Sequence, residues 1–85
     1  MLLYFTNNSK QKKKLIESDY AEDIYDTILS FFEEHRKFPH FLHVEQEDNK
    51  TRISFGSVSE FFYVEGVSKM DYKELHELFQ EHDIL

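Results

Sequence analysis

The closing segment KELHELFQEHDIL combines histidines and glutamates in a way that is typical of a zinc site on a helix. A zinc-peptidase helix carries two histidines four positions apart, so both imidazoles reach one metal from one face, and the intervening glutamate acts as base. Here Gln80 stands four positions after His76, and the next histidine is His82. Six residues turn a helix by about 240° net, so we expect no zinc site within this helix.

The other residues that could do chemistry also lack the required spacing. His40 and His43 are three apart in a predicted strand and therefore face opposite sides, although a metal site assembled from separate elements, such as His35, His40 and His82, stays open. Ser57 lies in FGSVS, which lacks the second glycine of a nucleophile elbow. The chain has only two glycines and no cysteine, which excludes a glycine-rich phosphate loop and thiolate chemistry. We expect a protein that is not an enzyme and needs no cofactor.

Length and composition indicate one small domain over residues 1–85. Nine Phe and five Tyr supply large apolar side chains for a core that has no disulfide to support it. The first five residues, MLLYF, are apolar, but lysines follow them instead of preceding them. This pattern is not that of a secretory signal, and no segment is long enough to span a bilayer. We therefore expect a cytoplasmic protein.

The first third of the chain predicts a strand and a helix. Leu2–Phe5 reads as a strand, and the lysine cluster is expected in a loop over about residues 7–17, since four cations would oppose the dipole of a first helical turn. Ser18 or Asp19 is expected to cap a helix that runs to about residue 36 and that Pro39 stops. Its apolar residues share one half of the cylinder: Tyr20, Ile24, Tyr25, Ile28, Leu29, Phe31 and Phe32.

The remainder predicts three strands and a second helix. HFLHVEQEDNKTRISFG reads as a hairpin in which Leu42 and Val44 face Ile53 and Phe55. VSEFFYVEG reads as a strand with aromatic residues on both faces. The final helix is expected to begin at a Ser68 or Asp71 cap, to run to about His82 and to bury four apolar residues: Tyr72, Leu75, Leu78 and Phe79. The fold class is therefore α+β, in the order β-α-β-β-β-α, with an antiparallel meander sheet carrying two amphipathic helices on one face.

Charge is distributed unevenly along the chain. The formal net charge is -7, yet the first fourteen residues carry +4 and residues 15–85 carry -11. An acidic body repels nucleic acid and anionic membranes and favours basic partners. Carboxylates line the solvent side of both predicted helices, about 5 Å apart from turn to turn, and such rows can occupy a basic nucleic-acid-binding channel. The candidate partner-binding residues are Asp71, Glu74, Glu77 and Glu81 in the last helix and Asp19, Glu22, Asp23 and Asp26 in the first.

In size, acidity and mixed helix–sheet composition the chain resembles small inhibitor and immunity-type proteins carried by phages and other mobile elements, some of which mimic DNA. This resemblance implies a non-catalytic interaction protein that binds a basic protein surface, and that is our leading hypothesis.

Two alternatives stay open. LLYFTNN and ISFGSVSEFFY are similar in outline to the strands of an RNA-recognition motif, which implies single-stranded nucleic-acid binding through sheet aromatics and the lysine loop. The second segment lacks that motif's basic and glycine spacing, and the body is acidic. A homodimer is the other alternative, because aromatics on both faces of a small sheet can leave one face uncovered.

Overall fold

One antiparallel sheet and two helices make up the protein. The structure, a computed structural model, describes residues 1–7, 11–37, 39, 41–47, 50–57 and 59–81, with the backbone alone for residue 81. The elements in chain order are β1 (Leu2–Thr6), β2 (Lys12–Glu17), α1 (Ala21–Glu34), β3 (His43–Glu47), β4 (Lys50–Ser54), β5 (Phe61–Glu65) and α2 (Lys69–Glu81). The predicted α+β class is confirmed, and so is the predicted order once β2 is added to it.

The sheet has the strand order β2-β1-β5-β4-β3, and every neighbouring pair is antiparallel. β3, β4 and β5 form the predicted meander. β1 pairs with β5, although more than fifty residues separate the two strands in the sequence. Val44 lies opposite Ile53, which confirms the predicted hairpin register; its turn residues, Asp48 and Asn49, lie outside the described residues. Because the side chains of a strand alternate between faces, this register assigns every strand residue to one side of the sheet.

The prediction that the lysine cluster lies in a loop is wrong. Lys12, Lys13 and Lys14 belong to β2, which pairs with β1 as an edge strand and is exposed along most of its length. Lysines on an edge strand discourage pairing with other molecules, so an outer strand tolerates a charge run that a central strand would not. A bulge opposite Leu3 and Tyr4 inserts Leu15.

The ends of α1 differ from the prediction. Tyr20 occupies the N-cap position without a side-chain cap bond and is exposed, so neither Ser18 nor Asp19 is the cap and Tyr20 is not on the buried side. At the other end Arg36 adopts a left-handed conformation with φ 52°. The amides of Arg36 and Lys37 donate to the carbonyls of Glu33 and Phe32, which is a Schellman motif. This motif, and not Pro39, ends the helix.

The start of α2 confirms the predicted caps. The hydroxyl of Ser68 accepts the amide proton of Asp71 at 3.1 Å, and the carboxylate of Asp71 accepts the amide proton of Ser68 at 3.2 Å. This reciprocal capping box satisfies two amides at the start of the helix. The predicted end near His82 cannot be compared, because residues 82–85 lie outside the described part of the chain.

Both helices pack on the same face of the sheet, as predicted. Phe31 and Phe32 of α1 contact the ring of Phe62, while Phe79 of α2 meets Tyr25 of α1 edge to face at 4.9 Å. The fully buried side chains Leu3, Ile24, Ile28, Ile53, Phe62, Val64 and Leu75 belong to the resulting core. The opposite side of the sheet carries Tyr4, Tyr63 and Arg52 in one cross-strand row, and neither α1 nor the described part of α2 packs on it.

Candidate functional site

Acidic side chains of the two helices meet in a groove, which we call the acidic groove. Glu22 of α1 and Glu74 and Glu77 of α2 line a hollow of about 230 Å³ together with Leu78. The three glutamates are exposed, Leu78 is half-buried, and none of the three carboxylates forms an ion pair with a described residue. Three unneutralised carboxylates beside an apolar side chain create a site of negative potential with an apolar wall.

A lysine and an exposed methionine border the acidic groove. Met70 and Lys73 line an adjoining hollow of about 280 Å³ with the same Glu74 and Glu77. The side chain of Met70 is 74% exposed. The groove therefore has an apolar margin, and Lys73 is a cation at its border.

The other carboxylates predicted to bind a partner do not join the groove. Asp71 serves in the capping box of α2, and Asp23 accepts a hydrogen bond from the hydroxyl of Ser18. Asp19 and Asp26 are exposed but do not line the groove. The side chain of Glu81 lies outside the described residues. Of the eight predicted residues, the structure thus brings three together.

Asp26, one of the carboxylates predicted to bind a partner, changes the pKa of a buried tyrosine. Tyr25 is buried at the contact between the helices, and burial together with the neighbouring negative charge of Asp26 raises the pKa of its phenol. Both effects disfavour the phenolate, since burial removes its hydration and a like charge repels it. Tyr25 therefore stays protonated to a higher pH than an exposed tyrosine.

The side of the sheet opposite the two helices carries aromatic rings and cations, and we call it the open sheet face. The Lys50 ammonium lies 4.4 Å from the ring centre of Tyr63, and the Arg52 guanidinium lies 4.2 Å from that of Phe61. Lys12 approaches Tyr4 more loosely, at 5.7 Å. Phe61 and Tyr63 contact each other edge to face at 5.2 Å.

A cleft of about 440 Å³ opens on this face between β1, β2, β4 and β5. It is lined by Thr6, Asn7, Lys12, Lys50, Phe61 and Tyr63. Thr6 is only 6% exposed, and its hydroxyl oxygen has no hydrogen-bond partner among the described residues. A buried polar group without a hydrogen-bond partner costs free energy. A polar group bound in the cleft could supply the hydrogen bond that the Thr6 hydroxyl lacks among the described residues.

Carboxylates occupy the margins of the open sheet face. Glu47 lies 3.7 Å from Arg52, and Glu45 lies 3.0 Å from His43. Glu65 is opposite Lys50 in the β4–β5 register. The acids therefore lie toward β3 and toward the end of β5, whereas the cleft around Phe61 and Tyr63 is lined by cations.

The histidines do not converge within the described part of the chain. His35 packs on the ring of Phe31 at 4.2 Å, and His76 faces Tyr72 at 6.0 Å. His40 and His82 lie outside the described residues, and among those that are described no three His, Asp or Glu side chains form a group that could hold a metal. Ser57 accepts the amide protons of Ser59 and Glu60, so its role is that of a turn residue, as the sequence indicates.

Comparisons of the chain with protein-family profiles, with curated protein sequences and with solved structures find no significant match. The five-stranded sheet also differs from the four-stranded sheet of the RNA-recognition motif, so the outline similarity of the strands does not extend to topology. Within the described residues, no helix is long and apolar enough to cross a membrane.

The sequence reading missed most of the open sheet face. It considered the aromatic residues of LLYFTNN and ISFGSVSEFFY and the lysine cluster, but it did not single out Thr6, Lys50 or Arg52. The sequence pattern that could have identified them is the alternation of a strand. Tyr4 and Thr6 alternate with core residues in β1, and Lys50 and Arg52 alternate with core residues in β4. Their grouping also requires the pairing of β1 with β5, which local sequence does not indicate.

Proposed function

We propose that the protein is a non-catalytic, cytoplasmic interaction protein that binds a basic protein surface through the acidic groove. The observation that carries the proposal is the convergence of Glu22, Glu74 and Glu77 from two helices around Leu78. Basic surfaces that bind nucleic acid are the favoured partners, because they present the lysines and arginines that such a groove attracts.

The chemistry of the groove suits a lysine or arginine side chain from the partner. The aliphatic part of such a side chain can pack along Leu78 while its charged end reaches the glutamates. Hydrogen bonds between a cation and a carboxylate are stronger than neutral ones. The exposed Met70 beside the groove adds an adaptable apolar contact.

The net charge of the protein also favours a basic protein partner, because it acts at distances beyond direct contact. A formal charge of -7 accelerates encounter with a basic protein and slows encounter with nucleic acid. This behaviour fits the inhibitors of phages and mobile elements that the chain resembles in size and acidity, and we propose that it likewise blocks a nucleic-acid-binding site.

The test compares two triple variants with equal charge. A basic partner is first captured from a lysate with the wild-type protein and purified. Its association rate is then measured for E22Q/E74Q/E77Q and for the control E17Q/E33Q/E34Q, which removes three exposed carboxylates elsewhere. We expect the groove variant to lower the association rate about tenfold and the control to change it much less.

Two results would contradict the proposal. Equal effects of the two triple variants would show that only net charge matters. An affinity that does not weaken between low and physiological salt would exclude a charge-based interface. A homodimer through the open sheet face is the alternative partner arrangement, and light scattering of the purified protein distinguishes it.

A further inference from the structure

We infer that the open sheet face is a binding site for single-stranded nucleic acid, separate from the acidic groove and independent of the proposed function. The site comprises the rings of Tyr4, Phe61 and Tyr63, the cations Lys12, Lys50 and Arg52, and the hydroxyl of Thr6.

The aromatic rings supply surfaces on which bases can stack. Tyr4 and Tyr63 are cross-strand neighbours, and Phe61 lies two residues from Tyr63 on the same face. All three side chains are half-buried, so their rings are held in place yet remain accessible. Stacking on aromatic side chains is a general means of binding single strands, because every base has a π-face.

The cations are placed to contact the phosphates of the same strand. Lys12, Lys50 and Arg52 come from β2 and β4, on either side of the β1–β5 pair that carries the rings. Their charged ends lie over the rings, and Lys12 and Lys50 line the cleft itself. A groove that combines cations with stacking rings is the arrangement that single-stranded nucleic acid requires.

Thr6 provides the second, independent sign of a ligand. Its side chain is 94% buried at the cleft, and its hydroxyl lacks a hydrogen-bond partner among the described residues. A hydroxyl can donate to a phosphate or accept from a base amine. Burying it unpaired is costly without such a ligand.

The acidity of the whole chain opposes this binding only weakly at the cleft. The acidic groove lies on the helical layer, on the other side of the sheet, and one helix alone is about 10 Å across. This separation exceeds the Debye length of about 8 Å at physiological ionic strength, so the repulsion is screened there and is stronger at low salt. On the open sheet face itself, Glu47 and Glu45 lie against Arg52 and His43 instead of at the cleft.

A second copy of the chain fits this face less well. A two-fold dimer presents the same patch from both partners, so a two-fold axis at the aromatic centre would bring the cations Lys12 and Lys50 against each other, because the carboxylates of this face stand at its margins. A single strand instead offers negative charge and flat apolar surface together.

The test is fluorescence anisotropy with labelled oligo(dT) and oligo(U) of about 12 nucleotides, within the site sizes of single-strand binders, at low salt. We expect saturable binding to at least one of the two, and the comparison between them identifies the preferred sugar. About three phosphate contacts predict a slope near -2 for log affinity against log salt concentration. Duplex DNA of equal length should bind at least fivefold more weakly.

Matched variants test the named residues. Tyr63→Ala and Phe61→Ala should each weaken binding about fivefold or more, while Tyr20→Ala, which removes an exposed aromatic on the other layer, should have no effect. K12Q/K50Q, which removes two of the three cations, should reduce the salt slope by about 1.4, and K69Q/K73Q should not change it. Thr6→Val, which replaces the hydroxyl with a methyl group, should weaken binding without lowering the melting temperature.

Several outcomes would overturn the inference: no binding to either single strand at low salt, equal binding to duplex and single strands, or aromatic variants that bind as well as the wild type. A dimer that buries Tyr63 in solution would assign the face to a second copy. None of these results bears on the acidic groove, since its test uses a protein partner and different residues.

Discussion

The helical layer and the open sheet face of this small protein have opposite chemistry. The helical layer presents carboxylates around Leu78, whereas the open sheet face presents aromatic rings with cations over them. Both regions rest on the same core. The difference shows that one sheet can hold the two regions apart. Alternate residues of each strand face opposite sides, so one set packs under the helices and the other set forms the open sheet face.

The two regions also differ in how they are assembled. Each helix has its own acidic side, and the acidic groove forms where two such helices pack side by side. The open sheet face depends on strand order instead, since β2 and β4 bring their cations to rings that stand on β1 and β5. A substitution in the shared core should therefore damage both regions, while a surface substitution should damage one.

The largest expected effect comes from Phe62→Ala, because this side chain lies in the core that supports both regions. Phe62 is fully buried and contacts four other phenylalanine rings. Its truncation should cost about 3–5 kcal/mol, a large part of the stability of a small domain. Urea denaturation measures the loss.

The neighbouring residue Phe61 is the matched control for that substitution. It stands one position earlier in the same strand but on the open sheet face. Phe61→Ala should cost much less stability than Phe62→Ala and should leave the helical layer intact. If the two alanine variants were equally unstable, the assignment of these residues to different faces would be wrong.

An intermediate effect is expected at high pH, and it concerns the helical layer alone. Because the pKa of Tyr25 is raised by burial and by Asp26, the unfolded chain loses this proton first, near pH 10. Stability is therefore fully present below pH 10 and falls as the pH rises toward the folded pKa, by at most about 1.4 kcal/mol per pH unit.

Tyr25→Phe should remove this part of the alkaline loss, and Asp26→Asn should move its end toward lower pH. Urea denaturation between pH 8 and 11 measures both differences from the wild type. Identical pH profiles for wild type and Tyr25→Phe would contradict the role of Tyr25.

The smallest expected effect is a gain in stability at the end of α1. The positive φ of Arg36 costs conformational free energy. Glycine is the usual residue at this position of a Schellman motif. Arg36→Gly should stabilise the fold by about 0.5–1 kcal/mol, measured by thermal unfolding. Arg36→Ala keeps the strain and serves as control; equal melting temperatures for the two variants would refute this explanation.

Local sequence predicted the elements whose residues show a clear period. α2, the β3–β4 hairpin and β5 were predictable because their apolar residues repeat at helical or alternating spacing. β2 was not, since its three lysines are exposed and resemble those of a loop, and only Leu15 and Ile16 pack against the core. The start of α1 was misplaced because no side chain caps it, and Ser18 instead bonds to Asp23 and the Tyr20 amide.

The candidate sites show the same limit. The sequence indicated carboxylates on both helices, but not that Glu22 meets Glu74 and Glu77 while Asp71 and Asp23 are used in local hydrogen bonds. It also indicated exposed sheet aromatics, but not the cations that lie over them.

By itself, then, the sequence determined the α+β class, the amphipathic elements and the acidity of the chain, because these follow from residue types and periods within each segment. Only the tertiary structure decided which charged and aromatic residues become neighbours. That choice depends on the packing of α1 beside α2 and on the pairing of β1 with β5, contacts between residues distant in sequence that form only when the whole core is buried.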